Sequence, residues 1–352
     1  MKKEIISIQV LRGFAAIAIV FIHMNGIIRQ YGSSHKYLFA STEIANAGVD
    51  VFFVISGVIM AIITARMKGG DTGALSFLLR RATRIYPIYW IYLGLFVIGN
   101  LLIQGSIMET SGHLTPMSVL LSAFLIPNQD LPILIIGWTL EFEIYFYLLI
   151  TLLIAVKRHI EIKYLYAGSI FLVLAGTFFQ ADLAIWSLAT DPLLIEFSMG
   201  FFIGSLYLKR PDLNPTPFLV IAAALVLLEI FGLSAAEVFD MYGTRFGRLT
   251  RFGLPAVFIV TGFLFANPFF RKYSPPILES IGNASYSLYL SHLLILSIIG
   301  KLWAILGLAR YLPDLMFAVI LLAGCLLWAS ISYQYMELPM IRLSRRLLHR
   351  WQ

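Results

Sequence analysis

Two basic side chains stand out in the first apolar segment, because both could take part in chemistry. Arg12 and His23 are 11 residues apart. Over that distance an α-helix makes three turns plus about 20°, so both side chains lie on one face, about 16 Å apart along the axis. A guanidinium binds anions and an imidazole exchanges protons near neutral pH. The spacing suits a molecule that lies along the helix, and it equally suits a structural arginine and a histidine in a polar cluster.

A carboxylate, Asp50, follows in the second apolar segment. If this segment enters the membrane from the opposite side, Asp50 lies about as deep as His23. An acid at that depth could hold the imidazole in one tautomer, as orienting acids do beside a general base. The alternative is a helix cap near the membrane interface.

A basic cluster precedes the third apolar segment. Arg81 and Arg84 are three residues apart and near an expected helix start. Guanidinium groups combined with the free N–H groups of a helix start form a good site for phosphates. Such a cluster can also serve only to set the topology of the chain.

Further ionisable residues lie in later apolar segments. Glu143 and Tyr147, at i and i+4, share a helix face. Glu196, His292 and Glu337, each taken alone, fit satisfied structural groups better than catalytic ones. The sequence contains none of the His, Cys or acidic spacings typical of metal sites, so we predict no metal.

The composition identifies the kind of element that must position these residues. Of the 352 residues, 59% are hydrophobic and only 13% are charged. A soluble domain has about 25% charged residues, and so much apolar surface cannot be buried in one soluble core. Intrinsic disorder, a secreted disulfide scaffold and a nucleic-acid-binding module are excluded. The sequence predicts an all-α polytopic integral membrane helical bundle that lies in a lipid bilayer.

We predict about ten transmembrane helices, since each span needs about 20 apolar residues. The charge of the loops predicts cytoplasmic N- and C-termini, because 18 Lys and Arg residues then face the cytoplasm and 7 face outward. This distribution explains the net charge of +7 without nucleic acid. We expect a transmembrane domain over 1–340 and a basic amphipathic cytoplasmic tail over 341–352. The expected spans are 5–28, 46–66, 84–104, 134–156, 164–180, 185–208, 217–233, 252–270, 281–303 and 313–335.

Seven short motifs in chain order resemble the acyltransferase type 3 membrane family, which includes bacterial O-acetyltransferases of exopolysaccharide and lipopolysaccharide. The motifs are Leu11-Arg12-Gly13 with His23, Gly48-Val49-Asp50 through Ser56-Gly57, Arg81 through Pro87, Trp138-Thr139-Leu140 with Glu143 and Tyr147, Glu196-Phe197 with Gly200, Ser285-Tyr286 through Tyr289 with His292, and Glu337-Leu338-Pro339. The resemblance covers almost the whole chain. Glu141 stands where the family usually has a small residue, and we do not interpret it as catalytic. The chain looks like the stand-alone type without an esterase-like domain.

The resemblance implies an O-acyltransferase of the bacterial inner membrane. The acyl group, most often acetyl, would pass from cytoplasmic acyl-coenzyme A to a hydroxyl of an exported or surface glycan or its lipid-linked precursor. His23 and Asp50 would be catalytic, and Arg12, Arg81 and Arg84 would bind acyl-coenzyme A. The supporting or substrate-binding residues would be Ser56, Glu143, Tyr147, Glu196, Tyr289 and His292.

Several alternatives remain open at the level of sequence. His23 could act as a general base or form a covalent acyl-histidine. Ser56, Tyr147 or a backbone N–H could stabilise the oxyanion. N-acylation of an amino group, a secondary transporter and a catalytically silent membrane scaffold are the rival functions. The oligomeric state is not encoded in any recognisable pattern.

Overall fold

The structure is a computed structural model that describes residues 5–39, 42–65, 67, 71–102, 114–156, 162–179, 181–232 and 245–349. Over these ranges the backbone forms helices joined by turns, and no β-strand is present. The all-α class predicted from the composition is therefore confirmed.

The α-helices of the described residues are numbered here in chain order. They are α1 (Ile6–Tyr31), α2 (Ala47–Thr64), α3 (Asp71–Leu102), α4 (Pro116–Phe124), α5 (Gly137–Val156), α6 (Ile162–Phe178), α7 (Ala184–Ala189), α8 (Leu193–Lys209), α9 (Thr216–Ile230), α10 (Leu254–Phe265), α11 (Asn267–Tyr273), α12 (Pro276–Asn283), α13 (Ser285–Ile305), α14 (Asp314–Ser332) and α15 (Leu338–His349). Short 3-10 helices lie at Thr42–Asn46 and Leu308–Arg310, and π-helical turns lie at Leu249–Gly253 and Tyr333–Glu337.

Many of these helices are long and apolar enough to cross a membrane. Within the described ranges there are seven such stretches: Ile6–Tyr31, Ile44–Thr64, Gly73–Leu101, Gly137–Val156, Ala184–Lys209, Ser285–Ile305 and Asp314–Leu347. A bent pair, Leu249–Phe265 with Asn267–Tyr273, makes an eighth when it is taken as one span, and its two helices meet at 62°. The chain is a multi-pass membrane protein.

Two shorter apolar helices, Tyr164–Phe178 and Thr216–Ile230, fall on the predicted fifth and seventh spans. A helix of that length is marginal for a bilayer whose hydrocarbon core is about 30 Å thick. The number of spans and the side of the membrane on which each terminus lies therefore stay predictions. Several of the basic residues that support the predicted orientation, such as Lys157 and Arg158, lie outside the described residues.

Helices α2 and α8 lie backbone against backbone because glycines line their contact. A Cβ atom added at Gly57 would overlap the carbonyl oxygen of Phe197, and one added at Gly200 would overlap that of Val54. Small residues at such contacts let helices in lipid approach until their backbones touch. The contact sets the position of Ser56, next to Gly57, relative to Glu196, next to Phe197.

Helix α1 is held at both ends by helices from the last part of the chain. Near its start, Gly13 lies against Gly282 of α12, where an added Cβ would come within 3.2 Å of the Gly282 nitrogen. Beyond its end, the Asp314 carboxylate of α14 accepts hydrogen bonds from the backbone and side chains of Ser33 and Ser34, at 2.5–3.1 Å. These contacts fix the axial position of α1, which carries Arg12 and His23.

The predicted basic tail is helical over its described part. Residues 341–349 belong to α15, which packs against α3. Residues 350–352 of the predicted tail lie outside the described residues. The position of this helix relative to a membrane surface stays a prediction.

Candidate active site

A cavity of about 780 Å3, including its open mouth, lies between α1, α2, α3, α5 and α13. Its wall is mostly apolar, with polar groups concentrated on a few helices. Seven of the predicted site residues line it: Arg12, Ser56, Arg81, Arg84, Glu143, Tyr147 and Tyr289. The other four, His23, Asp50, Glu196 and His292, lie outside its wall. Motifs separated by more than 200 residues in the sequence are thus assembled around one space.

Three arginines make part of the cavity wall positive. Arg81 and Arg84 come from adjacent turns of α3, and Arg12 comes from α1. The Nε of Arg81 is buried and has no hydrogen-bond partner within the described ranges. Arg12 is only 9% exposed and donates to Gln9 at 3.2 Å. Buried guanidinium donors that face an open space are suited to an anionic ligand.

A carboxylate and two hydroxyl groups lie beside these arginines. Ser56 donates to the Glu143 carboxylate at 3.0 Å, and the Tyr147 hydroxyl donates to the same oxygen in a short hydrogen bond. The Arg81 guanidinium lies 5.9 Å from the centre of the Tyr147 ring. Glu143 and Tyr147 therefore share a face of α5, as their spacing predicts. Because Glu143 engages both hydroxyl protons, neither Ser56 nor Tyr147 is free in this arrangement to donate to an oxyanion.

Tyr289 closes another part of the cavity. Its hydroxyl lies 2.6 Å from Thr139 Oγ1 and donates to the Ile136 carbonyl at 3.1 Å. Its ring packs against Phe52 on one side, at 6.2 Å between ring centres, and against His292 on another, at 6.0 Å. Tyr289 therefore lines the cavity and also contacts His292.

The two intramembrane histidines lie side by side. The ring of His23 on α1 is 5.2 Å from the ring of His292 on α13, centre to centre. His23 is half-buried, whereas His292 is fully buried and its Nδ1 donates to the Tyr289 carbonyl at 2.7 Å. The imidazole ring next to His23 was not recognised from the sequence, which pointed to Asp50 instead.

Asp50 has a different partner from the one predicted. Both of its carboxylate oxygens accept hydrogen bonds from Arg248, at 3.1 Å and 2.7 Å. Asp50 is fully buried, while the Arg248 side chain is 32% exposed. The geometry assigns Asp50 to an ion pair with Arg248 rather than to a contact with His23, and a catalytic role for Asp50 stays a prediction. The physical reason is that a bidentate guanidinium satisfies a buried carboxylate better than an imidazole does.

Glu196 belongs to the same polar cluster. It is fully buried on α8 and interacts electrostatically with Asp50 and Arg248. Gly253, in the π-helical turn that follows Arg248, leaves room for it, because a Cβ at that position would collide with the Glu196 carboxylate. Two buried carboxylates thus surround one arginine at the ends of α2 and α8.

Sequence reasoning missed three residues of this region. Arg248 was counted only as a loop charge, Thr139 only as part of a motif, and Glu337 was interpreted as structural. Glu337 accepts from Ser287 at 2.7 Å and interacts electrostatically with Arg12. A signal for Arg248 existed: Arg245, Arg248 and Arg251 recur every three residues on the side where the loop-charge rule predicts few basic residues.

A family model provides the decisive comparison. The acyltransferase 3 model, described as an acyltransferase domain, matches residues 5–334, which is nearly the whole chain. The chain belongs to the acyltransferase 3 family. With its membrane-length helices, this family membership makes the protein a membrane acyltransferase. No solved structure matches it significantly.

The chain is also similar to two individual proteins. It is 34% identical over 311 residues to the exopolysaccharide production protein ExoZ of Rhizobium meliloti (strain 1021), covering 86% of this chain and 91% of ExoZ. It is 24% identical over 366 residues to a protein of Staphylococcus aureus (strain COL) named "Putative O-acetyltransferase". That match covers 94% of this chain but 56% of the Staphylococcus protein, so the chain spans about half of that relative.

Proposed function

We propose that this membrane acyltransferase transfers an acyl group, most often acetyl, from acyl-coenzyme A to a hydroxyl of an exported glycan or its lipid-linked precursor. The observation that carries the proposal is the cavity of about 780 Å3 with three arginines in its wall and a histidine pair beside Tyr289. The names of the two relatives, exopolysaccharide production protein and O-acetyltransferase, support an O-linked acyl group on a polysaccharide.

The arginines match the chemistry of the donor. Coenzyme A carries phosphates at one end and a slim pantetheine arm at the other. Arg81 and Arg84 would hold the phosphates, since guanidinium–phosphate contacts are charge-assisted and often bidentate. Arg12, further into the bundle, would contact the pantetheine arm as it runs toward His23. The apolar wall around them keeps water from the thioester.

His23 is the residue that we assign to proton transfer. Its imidazole accepts the proton of the acceptor hydroxyl while the hydroxyl oxygen attacks the thioester carbonyl. The carbon–sulfur bond then breaks, and the same proton passes to the thiolate of coenzyme A. Since Ser56 and Tyr147 already donate to Glu143, a backbone N–H is the better candidate for stabilising the oxyanion.

The predicted orientation gives the reaction its direction. With cytoplasmic termini, the arginines open toward the cytoplasm, where acyl-coenzyme A is made, and His23 lies toward the other side. The acceptor then arrives at the outer face of a bacterial inner membrane. This arrangement makes the product a surface or exported glycan rather than a cytoplasmic metabolite.

The function is tested on the protein purified in lipid nanodiscs. Radiolabelled acetyl-coenzyme A is supplied together with glycan extracted from a strain that lacks the gene. We expect label to enter the glycan and to be released by mild base, which cleaves esters and spares amides. Label that resists mild base points to N-acylation, and glycan without label contradicts the acceptor class.

The matched variant for this assay is His23→Ala at equal membrane expression. We expect it to abolish transfer and to leave donor binding intact, since His23 lies outside the cavity wall that holds the arginines. Near-normal turnover of His23→Ala would move the catalytic base to another residue. Mass spectrometry of surface glycans with and without the gene provides the corresponding test in cells.

A further inference from the structure

His292 has a feature that the proposed reaction leaves unused. Its Nδ1 lies 2.7 Å from the Tyr289 carbonyl oxygen and 3.3 Å from that of Leu288. Carbonyl oxygens only accept hydrogen bonds, so Nδ1 carries a hydrogen. In the neutral ring Nε2 then carries a lone pair, and the hydrogen bonds fix this tautomer.

The lone pair of His292 Nε2 is buried without a partner. Within the described residues no group donates a hydrogen bond to it, although the side chain is fully enclosed. A buried acceptor without a donor is costly. Catalytic hydrogen bonds are often long or poorly aligned in substrate-free structures and tighten only when the substrate is bound. The unsatisfied atom therefore calls for a donor that is present during turnover.

His23 is the group best placed to provide that donor. Its ring lies 5.2 Å from the His292 ring at an interplanar angle of 44°, and it is only partly exposed. The Tyr289 hydroxyl, on the ring that packs against His292, is engaged with Thr139 and Ile136. Asp50 is occupied by both of its bonds to Arg248.

We propose that His292 is the positioning residue of the catalytic base, accepting a hydrogen bond at Nε2 from one ring nitrogen of His23. This inference rests on the proposed function of His23. With that N–H directed toward His292, the other nitrogen of His23 presents its lone pair to the acceptor hydroxyl. The neutral His292 Nε2 would thus orient His23, as a carboxylate orients the histidine of a serine-protease triad.

The hydrogen bond between His23 and His292 leaves the covalent steps of the reaction unchanged. The acceptor O–H proton moves to the free nitrogen of His23, the ester bond forms and the carbon–sulfur bond breaks. His23 is then doubly protonated, and His292 Nε2 stabilises the resulting charge through the same N–H. The proton leaves to the coenzyme A thiolate, which restores both neutral rings.

Three substitutions at His292 distinguish the role of Nδ1 from the role of Nε2. His292→Asn retains a donor near the Nδ1 position and loses the acceptor at the Nε2 position. His292→Gln can place an amide oxygen near the Nε2 position, and His292→Phe retains the ring without either nitrogen. We expect kcat to fall about tenfold to a hundredfold in the Asn and Phe variants, as on loss of one hydrogen bond to a charged group. The Gln variant should retain more activity, with donor and acceptor KM unchanged throughout.

A readout that is independent of turnover follows the tautomer of His23. The chain has 6 histidines, so ¹⁵N-histidine NMR spectra of the full-length protein in lipid can be assigned with a His23→Gln sample. We expect one neutral tautomer of His23 in the wild-type protein and a mixture in His292→Asn. Thermal unfolding of each variant checks that it is folded.

Two results overturn the proposal. One is a mixture of His23 tautomers in the wild-type protein, which requires no variant. The other is a folded His292→Asn variant with wild-type kcat and an unchanged His23 tautomer. If the wild-type protein transfers no acyl group from acetyl-coenzyme A, the proposed function fails, while the NMR measurement still decides whether His292 positions His23.

Discussion

At the scale of single residues, the two partners of the Asp50–Arg248 ion pair differ in how deeply they are buried. Asp50 is fully enclosed, with Glu196 beside it, whereas about a third of the Arg248 side chain reaches solvent. An enclosed charge that loses its partner has no other source of solvation, while an exposed one can turn to water. Removing the charge of Arg248 and removing that of Asp50 therefore lower the free energy of unfolding by different amounts.

This asymmetry predicts the order of stability in a set of variants. Arg248→Gln should lower the free energy of unfolding by about 3–5 kcal/mol, because it leaves a buried carboxylate unpaired. Asp50→Asn should cost less, about 1.5–3 kcal/mol, the value of hydrogen bonds to a charged group. The double variant should be more stable than Arg248→Gln. Thermal unfolding in detergent gives the order, and a less stable Asp50→Asn would contradict it.

The arginines of α3 lead to a kinetic prediction. Arg81→Gln and Arg84→Gln should each raise the KM for acyl-coenzyme A about tenfold or more, since each removes a charge-assisted hydrogen bond worth about 1.5–3 kcal/mol. The KM for the acceptor should not change. The matched control is Arg80→Gln, because Arg80 is exposed on the same helix and its side chain donates to Ser76 at 3.1 Å.

A rise in KM for Arg80→Gln equal to that of the other two would indicate a general effect of positive charge. An unchanged donor KM in all three variants would leave Arg81 and Arg84 with a role in topology only. Measurements at two salt concentrations help here, because exposed charges are screened and enclosed ones much less.

At the scale of secondary-structure elements, the glycines between α2 and α8 determine how close these helices come. Gly57→Ala should destabilise the protein by about 1–3 kcal/mol, the usual cost of overpacking, because the new methyl would overlap the Phe197 carbonyl. It should also lower activity, since Ser56 moves with the helix. The control is Gly94→Ala in α3, where nothing lies within 4 Å of the added atom.

The control variant should be as stable as the wild-type protein or slightly more stable, because alanine favours a helix over glycine. An equal loss of stability in Gly57→Ala and Gly94→Ala would mean that helix flexibility, rather than close contact, is the reason for the glycines. Size-exclusion profiles and unfolding temperatures in one detergent provide the comparison.

Helix positions followed from the sequence because a span leaves a strong local signal, a long apolar run. All ten predicted spans contain a helix of the structure, and the lining of the cavity by Arg12, Arg81 and Arg84 agrees with their predicted grouping. The pairing of side chains from different helices leaves no such local signal in the sequence. Which residue lies beside His23 depends on how α1 packs against α13, and that is decided by contacts 269 residues apart. A single sequence therefore pointed to Asp50 where the fold has His292.

At the scale of the whole molecule, orientation in the membrane can be measured with introduced cysteines. The single native cysteine, Cys325, is fully buried, so it should react little with a membrane-impermeant maleimide. In a Cys325→Ser background, Tyr311→Cys should be labelled in intact cells, whereas Arg210→Cys should react only after the cells are opened. Both positions are exposed in the structure, so access depends on the membrane alone.

The opposite labelling pattern would place both termini outside and would remove the cytoplasmic access of the arginines. Labelling of both cysteines in intact cells would mean that the short helices do not cross the bilayer as predicted. Either result would change the direction of acyl transfer, while the contacts within the bundle would stay as they are.

The attachment of α1 to Asp314 and Gly282 also has a consequence for synthesis. The ribosome makes α1 first, yet the contacts at both of its ends described above come from helices made near the end of translation. Arg12 and His23 therefore enter the membrane long before Glu337 and His292 exist. Until then the first helix depends on the insertion machinery or on lipid headgroups to shield its cation. A nascent chain that stops before α13 holds the arginines and His23 but cannot form the histidine pair, so we expect a prematurely terminated product to be inactive.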